Sequence, residues 1–378
     1  MEYRNLKRTW VVETALPVTF FIQYSRNVFA RDNKELSTYV TTGRAIVVID
    51  AEVYRLYGIQ LESYFRGADI ELKLCIINAV EENKNWENTD TILKFFEECK
   101  ILRRAEPVIA IGGGVLLDIV GFCASLYRRG VPYLKVPTTL LAMIDASVGS
   151  KVGINHMGFR NRIGNYYPPI GTLLDATFIK TQNQDEISNG LAEIFKVALI
   201  KNAELFNLLV ETHQLLINEK FQSGAVPNRV INLAISSMVE ELEPNLWEKK
   251  LDRCVDFGHS FSPLIEMKNL PNMSHGVAVM LDCLFSSCLA CVRGHINRDT
   301  LDLIFRTAAD LRLPTYHVDF TDIHLLTRAL NDTMKHRNDN QYLPIPIGIG
   351  QHLMINDMTN IDLLRAIELF TEIECQQH

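Results

Sequence analysis

The sequence has no apolar run near the ~20 residues that a bilayer span requires, no internal repeat and no low-complexity segment. A membrane-embedded domain and a solenoid are therefore not expected. Blocks of like charge are also missing: 38 basic and 45 acidic residues are scattered over 378 positions, with a formal net charge of -7. That pattern favours neither nucleic acid nor a membrane surface, but it leaves room for local basic pockets that hold a small anion. The opening MEYRNLKRTW lacks the apolar core of a signal peptide. The eight cysteines lie mostly in apolar segments, so a reducing cytoplasm is the expected location. Cys288 and Cys291 form a CxxC with no second pair, inside an apolar helical run, which points to packing rather than zinc or redox chemistry.

What is present is a hydrophobic content of 47%, enough for a large core and about two domains at this length. The first half alternates short β-branched runs (RAIVVID at 44–50, LKLCIIN at 72–78, PVIAIGGG at 107–114, YLKVPTT at 133–139) with helical patterns at 90–104 and 116–130. This βαβα order predicts a parallel sheet. From about Gln184 the periodicity is nearly all helical. We therefore expect an α/β domain over 1–180, a mainly α-helical domain over 181–378, and an active site between them.

PVIAIGGGVLLDIVG reads as a buried strand, three glycines and a helix with Asp118 near its start. Glycines let the backbone approach a phosphate, and the free N–H groups of a helix start favour an anion. The spacing is not GxGxxG, and a GGG turn also serves tight strand-to-helix packing. The strand context and the following VPTTLLAMIDASVGSK favour an anionic cofactor.

His259 and His275 are sixteen residues apart, each beside a glycine, and cannot share a helical face as in HExxH. Spacing alone leaves a metal site open. Glu193, in GLAEIFK, adds weight, because an acid among Leu191, Ile194 and Phe195 is expensive to bury without a partner. Two nitrogens and one carboxylate with open positions would suit catalytic zinc. Lys196 shares the face of Glu193, where it either pairs with the acid or reaches a substrate anion.

Taken together, IGGGVLLDIVGF, YRRG, VPTTLLAMIDASVGSKVGIN, NRIGNYYPP, NGLAEIFK, FGHSFSP and HG, in this order over roughly 105–285, resemble the sugar phosphate cyclase superfamily typified by 3-dehydroquinate synthase. The resemblance implies NAD bound at the glycine turn by Gly113, Gly114, Val115, Asp118, Thr138 and Thr139. Asp50, Glu81 and Lys84 fall where the family contacts the nucleotide. It also implies a metal held by Glu193, His259 and His275, with zinc expected and cobalt the alternative. Asp145, Lys151, Asn161 and Lys196 match active-site positions, and Arg129 matches a phosphate-binding arginine supplied by a neighbouring subunit, which implies a homodimer. Lys335, His336 and Arg337 occupy the place of a substrate-contacting DKK motif.

Several positions depart from dehydroquinate synthase. Pro263 replaces the second histidine of GHxxGH, Asp256 the asparagine of NWGH and Arg160 the lysine of GKN, and Met238 stands near an expected substrate lysine. These changes argue against a carboxylated substrate. ELEPNLWE at 241–248, FGHSFSP and NYYPP instead resemble the sedoheptulose 7-phosphate cyclases, and within that branch the motifs look most like the 2-epi-5-epi-valiolone synthases. Desmethyl-4-deoxygadusol and 2-epi-valiolone synthases are the alternatives. Asp282 and His352 are further polar positions expected to help set the product. The implied reaction is transient oxidation by NAD, phosphate elimination, re-reduction and intramolecular aldol closure. A metal-dependent polyol dehydrogenase and a non-catalytic binding paralogue are the competing classes.

Overall fold

The computed structural model describes Trp10 and residues 12–377, so the expectation for the opening residues falls, Trp10 apart, outside the described range. The first half runs β1 (Phe21–Tyr24), β2 (Arg44–Asp50), α1 (Ala51–Gly67), β3 (Glu71–Ile77), α2 (Trp86–Glu98), β4 (Val108–Gly112), α3 (Gly114–Leu126), β5 (Tyr133–Pro137) and the short α4 (Leu140–Ile144). A hairpin of β6 (Lys151–His156) and β7 (Phe159–Tyr166) follows, and then β8 (Gly171–Leu174). Six strands form one parallel sheet in the order β1-β8-β5-β4-β2-β3. The inner strands are buried almost throughout, as Val- and Ile-rich strands covered on both faces must be.

Alternation along these strands divides the core. Val47, Ile49, Ile109 and Ile111 join the apolar mass shared with the C-terminal helices. Ile46, Val48, Val108 and Ala110 face α2 and α3. The chain leaves β2 for β3 on one side and returns to β4 on the other, so the topological switch lies between the carboxyl ends of β2 and β4. In doubly wound sheets that is where a ligand crevice opens. Asp50 ends β2 and Gly112 ends β4, which sets the glycine turn at the crevice.

Two details differ from the sequence pattern. The helix expected over 90–104 stops at Glu98. Lys100 takes φ +48°, and its amide and that of Ile101 bond back to Glu97 and Phe96, closing the last turn. β1 and β8, at four residues each, are too short to show an alternation of their own.

The second half comprises α5 (Gln184–Lys201), α6 (Ala203–Asn218), α7 (Val226–Leu242), α8 (Ser262–Asn269), α9 (His275–Val292), α10 (Arg298–Asp310), α11 (Ile323–His336), a hairpin of β9 (Leu343–Gly348) and β10 (Gln351–Ile355), and α12 (Asn360–Gln377). The hairpin is the exception to the helical expectation; the two prolines of LPIPIG exclude a regular helix there. By length and composition α9 could cross a membrane, yet it is the buried centre of this half, packed on α5, α8, α10 and α12.

Candidate active site

Glu193 lies midway along α5 and is 1% exposed, His275 opens α9, and His259 lies in the turn before α8. One ligand atom from each falls within 4.8 Å of the others. Glu193 Oε1 is 3.3 Å from His275 Nε2 and 3.8 Å from His259 Nε2, and it is buried without a hydrogen bond. His259 Nδ1 donates to the Phe257 carbonyl at 3.2 Å and His275 Nδ1 to Glu266 Oε2 at 3.0 Å. Both rings thereby turn Nε2 to the same point as the orphaned carboxylate oxygen. This donor set fits a divalent cation such as zinc.

Electrostatics point the same way. Burial alone would raise the Glu193 pKa, but Lys196, with Nζ 2.5 Å from Oε2, and the two histidines hold the carboxyl well below its usual range. Burial, and then Lys196, push His259 down to about 3, so its imidazole is neutral. For His275, burial and Arg160 oppose protonation, but Glu266 and Glu193 outweigh them and lift it to about 9, so its Nε2 carries a proton that an incoming cation would displace.

The glycines beside the two histidines have separate jobs. Gly258 adopts φ +75°, and a Cβ there would lie 2.7 Å from Cys283 Sγ. At Gly276 a Cβ would lie 2.4 Å from the Asn189 carbonyl oxygen, so the start of α9 can press directly on the backbone of α5. Pro263 falls in the first turn of α8, where a missing N–H breaks no helical bond.

A cleft of about 480 Å³ opens beside the cluster. Among the positions singled out from sequence, Asp118, Asp145, Lys151, Arg160 and Asn161 of the first half line it together with Lys196, Asp256, His259, His275, His336 and Arg337 of the second. Asp256 accepts from Arg253 and lies 3.5 Å from Arg337 Nη2; burial opposes its ionised form, but Arg253, Arg337 and Lys151 keep its pKa low. Lys151 and Arg253 both meet Glu248, which also accepts from the Tyr166 hydroxyl at 3.0 Å. Burial and the nearby Glu193 charge raise the Asp145 pKa. Arg253, Glu248 and Glu266 were not singled out. The signal for Glu266 was of the kind that exposed Glu193, an acid in a helix that buries it.

On the crevice side, Lys84 is 2% exposed and donates to Asp118 Oδ2 and Asn161 Oδ1, each at 2.6 Å. Glu81 Oε1 accepts from Asn155 Nδ2 at 2.7 Å. Asp50 caps α1 through Glu52 N and also takes Ala79 N at 3.1 Å. Gly113 starts α3 with no side-chain cap, followed by Gly114 and Val115. Thr139 caps α4, while the buried Thr138 hydroxyl next to the glycine turn has no hydrogen-bond partner. An uncapped helix start and an orphaned hydroxyl at the switch point fit a bound dinucleotide.

Four positions lie away from the cleft. Asp282 is fully buried behind it and accepts from Phe261 N at 2.6 Å, Ser262 N at 2.8 Å and the Ser286 hydroxyl at 3.1 Å. It fixes the turn that carries His259 rather than touching a ligand. Asp282→Ala leaves two buried amides unmatched and is expected to cost about 3 kcal/mol in urea unfolding. His352 Nδ1 bonds the Ile200 carbonyl at 3.0 Å, behind α5. Lys335 lines a neighbouring groove with Arg328 and Asn331. Arg129 is exposed on a turn in which Arg128 and Arg129 take φ +49° and +60°.

Comparison with known proteins gives the following. Residues 74–189 match the 3-dehydroquinate synthase N-terminal domain and residues 190–336 the 3-dehydroquinate synthase C-terminal domain. A 2-epi-5-epi-valiolone synthase from Actinomyces sp is 41% identical over 374 residues, covering 96% of this chain and 98% of that protein. A demethyl-4-deoxygadusol synthase from Trichormus variabilis is 34% identical over 364 residues, covering 94% and 88%. The structure of ValA, a 2-epi-5-epi-valiolone synthase from Streptomyces hygroscopicus subsp. jinggangensis 5008 with NAD+ and Zn2+ bound, superposes with a TM-score of 0.93 at 41% identity, over 96% of this chain and 100% of that one.

Proposed function

Because this chain belongs to the 3-dehydroquinate synthase family, we propose that it cyclises sedoheptulose 7-phosphate, with loss of phosphate, to 2-epi-5-epi-valiolone. One observation carries the choice of substrate. Pro263 and Met238 both line the cleft, where a carboxylated substrate would require donors, so the pocket suits a neutral ketose phosphate.

Bound NAD supplies the hydride acceptor and donor, and zinc at Glu193, His259 and His275 supplies the Lewis acid. The chain's own residues do the rest. Lys151 and Lys196 hold the phosphate by charge-assisted bonds. Ionised Asp256 orients substrate hydroxyls. Asp145, whose pKa is raised by burial and by Glu193, can hold a proton at the cleft wall and pass it during elimination and ring closure. The phosphate's own oxygen serves as the base for the elimination.

Arg129 is exposed on its turn and does not line this chain's own cleft, which supports the reading that it serves the cleft of a second copy in a homodimer. We divide the chain near residue 180, between β8 and α5, into an α/β NAD-binding domain and a helical metal- and substrate-binding domain. All eight cysteines are free, which supports a cytoplasmic location.

With sedoheptulose 7-phosphate, NAD+ and Zn2+, the expected result is one phosphate released per sugar, no accumulation of NADH and a saturated cyclitol ketone by NMR. An ultraviolet-absorbing enone would move the assignment to the gadusol branch. Net NADH from a simple polyol, with no phosphate release, would replace the cyclase by a dehydrogenase.

A further inference from the structure

We propose that Arg160 couples the two halves of the site, so that nucleotide binding tightens the hold on the metal and metal binding tightens the hold on the nucleotide. The inference rests on the reading of the cleft as an NAD and zinc site.

Arg160 projects from β7 and is 16% exposed in the cleft wall, where it reaches carboxylates belonging to different sites. Its Nη1 donates to Glu266 Oε2 at 2.6 Å and also touches His275 Nδ1. Glu266 is 2% exposed, and the same oxygen accepts from His275 Nδ1, whose Nε2 faces Glu193. On the other side, Arg160 Nε is buried, has no hydrogen-bond partner and lies 3.8 Å from Glu81 Oε1. Contacts therefore run from Glu81 through Arg160, Glu266 and His275 to Glu193, with one open joint at Nε.

A guanidinium is a rigid plane, so Nε cannot move toward a partner without carrying Nη1 with it. A nucleotide that draws Glu81 onto Nε closes the joint and fixes the orientation of Glu266. Glu266 in turn holds the tautomer and angle of His275. A metal that has already ordered His275 and Glu266 lowers the cost of closing the same joint from the other end. Thermodynamic linkage makes the two effects equal. A lysine, with a single point charge, cannot span both carboxylates. Arg160 is thus a positioning residue.

The test measures Zn2+ affinity by competition with a chromophoric chelator, with and without NAD+, and NAD+ affinity with and without Zn2+. In the unmodified protein each ligand is expected to tighten the other by the same factor, about tenfold. Arg160→Lys should bring that factor to one and loosen Zn2+ about tenfold even without NAD+. Glu81→Ala, which leaves nothing for Nε to close on, should bring the coupling factor to one when Zn2+ affinity is compared without NAD+ and at saturating NAD+, and it keeps the test intact should the Arg160 variant fold poorly. Independent binding of both ligands to the unmodified protein, or coupling that persists in the variants, would overturn the role of Arg160 alone. A protein that binds neither ligand would overturn the reading of the site itself.

Discussion

Glu193→Gln is expected to strip the protein of zinc and lower kcat/KM by about a thousandfold or more. The carboxylate contributes the only negative charge among the three converging ligands, and the Lewis acid it holds is worth several kcal/mol at the reacting oxygen, which corresponds to a rate factor of that size. The same change strands Lys196. That ammonium is 2% exposed, and Glu193 Oε2, at 2.5 Å, is what keeps its pKa above the usual lysine range against the opposing effect of burial. Breaking a buried pair from one side leaves an uncompensated charge, so the variant should also lose about 3 kcal/mol of stability. Metal analysis and urea unfolding check the two parts separately. A variant that retains stoichiometric zinc and activity within tenfold would remove Glu193 from the ligand set.

Gly276→Ala should damage the site without touching a ligand. The added methyl would lie 2.4 Å from the Asn189 carbonyl oxygen and 2.6 Å from its Cα. Both are backbone atoms of α5, so no rotamer change relieves the clash and α9 must back away. His275 is the neighbouring residue and moves with it. We expect a loss of about 3 kcal/mol, at the upper end for overpacking, and zinc binding weakened tenfold or more. Gly67→Ala is the matched control: on α1 a Cβ meets nothing nearer than 4.0 Å, so unfolding should be unchanged or slightly harder. Equal behaviour of the two variants in unfolding and zinc titration would mean that the approach of α5 and α9 does not set the ligand geometry.

The parallel sheet was legible because its strands are β-branched runs that no amphipathic helix would produce, and β2 over 44–50 coincides with RAIVVID. The helical half was legible from its period, apart from the β9–β10 hairpin, whose signal lay in prolines rather than periodicity. Glu193 could be found because an ionisable group at a buried helical position is costly and so has a reason to be there. Glu266 carried the same signal and was passed over. Asp282 shows the converse. As a polar residue it was expected to help set the product, but polarity says nothing about which way a carboxylate points, and it turns toward the amides of Phe261 and Ser262 rather than the cleft. His352 likewise turns toward the Ile200 carbonyl.

By itself, the sequence determined the alternation of the inner strands with helices, the helical character of the second half, the glycine turn at a strand end and the family to which the motifs belong. These are properties of neighbouring residues and their period, and neighbours interact whatever the rest of the chain does. Only the tertiary structure decided that the Nε2 atoms of His259 and His275 face the same oxygen of Glu193. It also decided that Glu266 orients one of those rings and that Arg160 stands between the metal ligands and the nucleotide crevice. Each of these relations depends on how closely α5 and α9 approach and on how β7 lies across α8. Such distances arise from packing between segments far apart in the chain, and no local pattern records them.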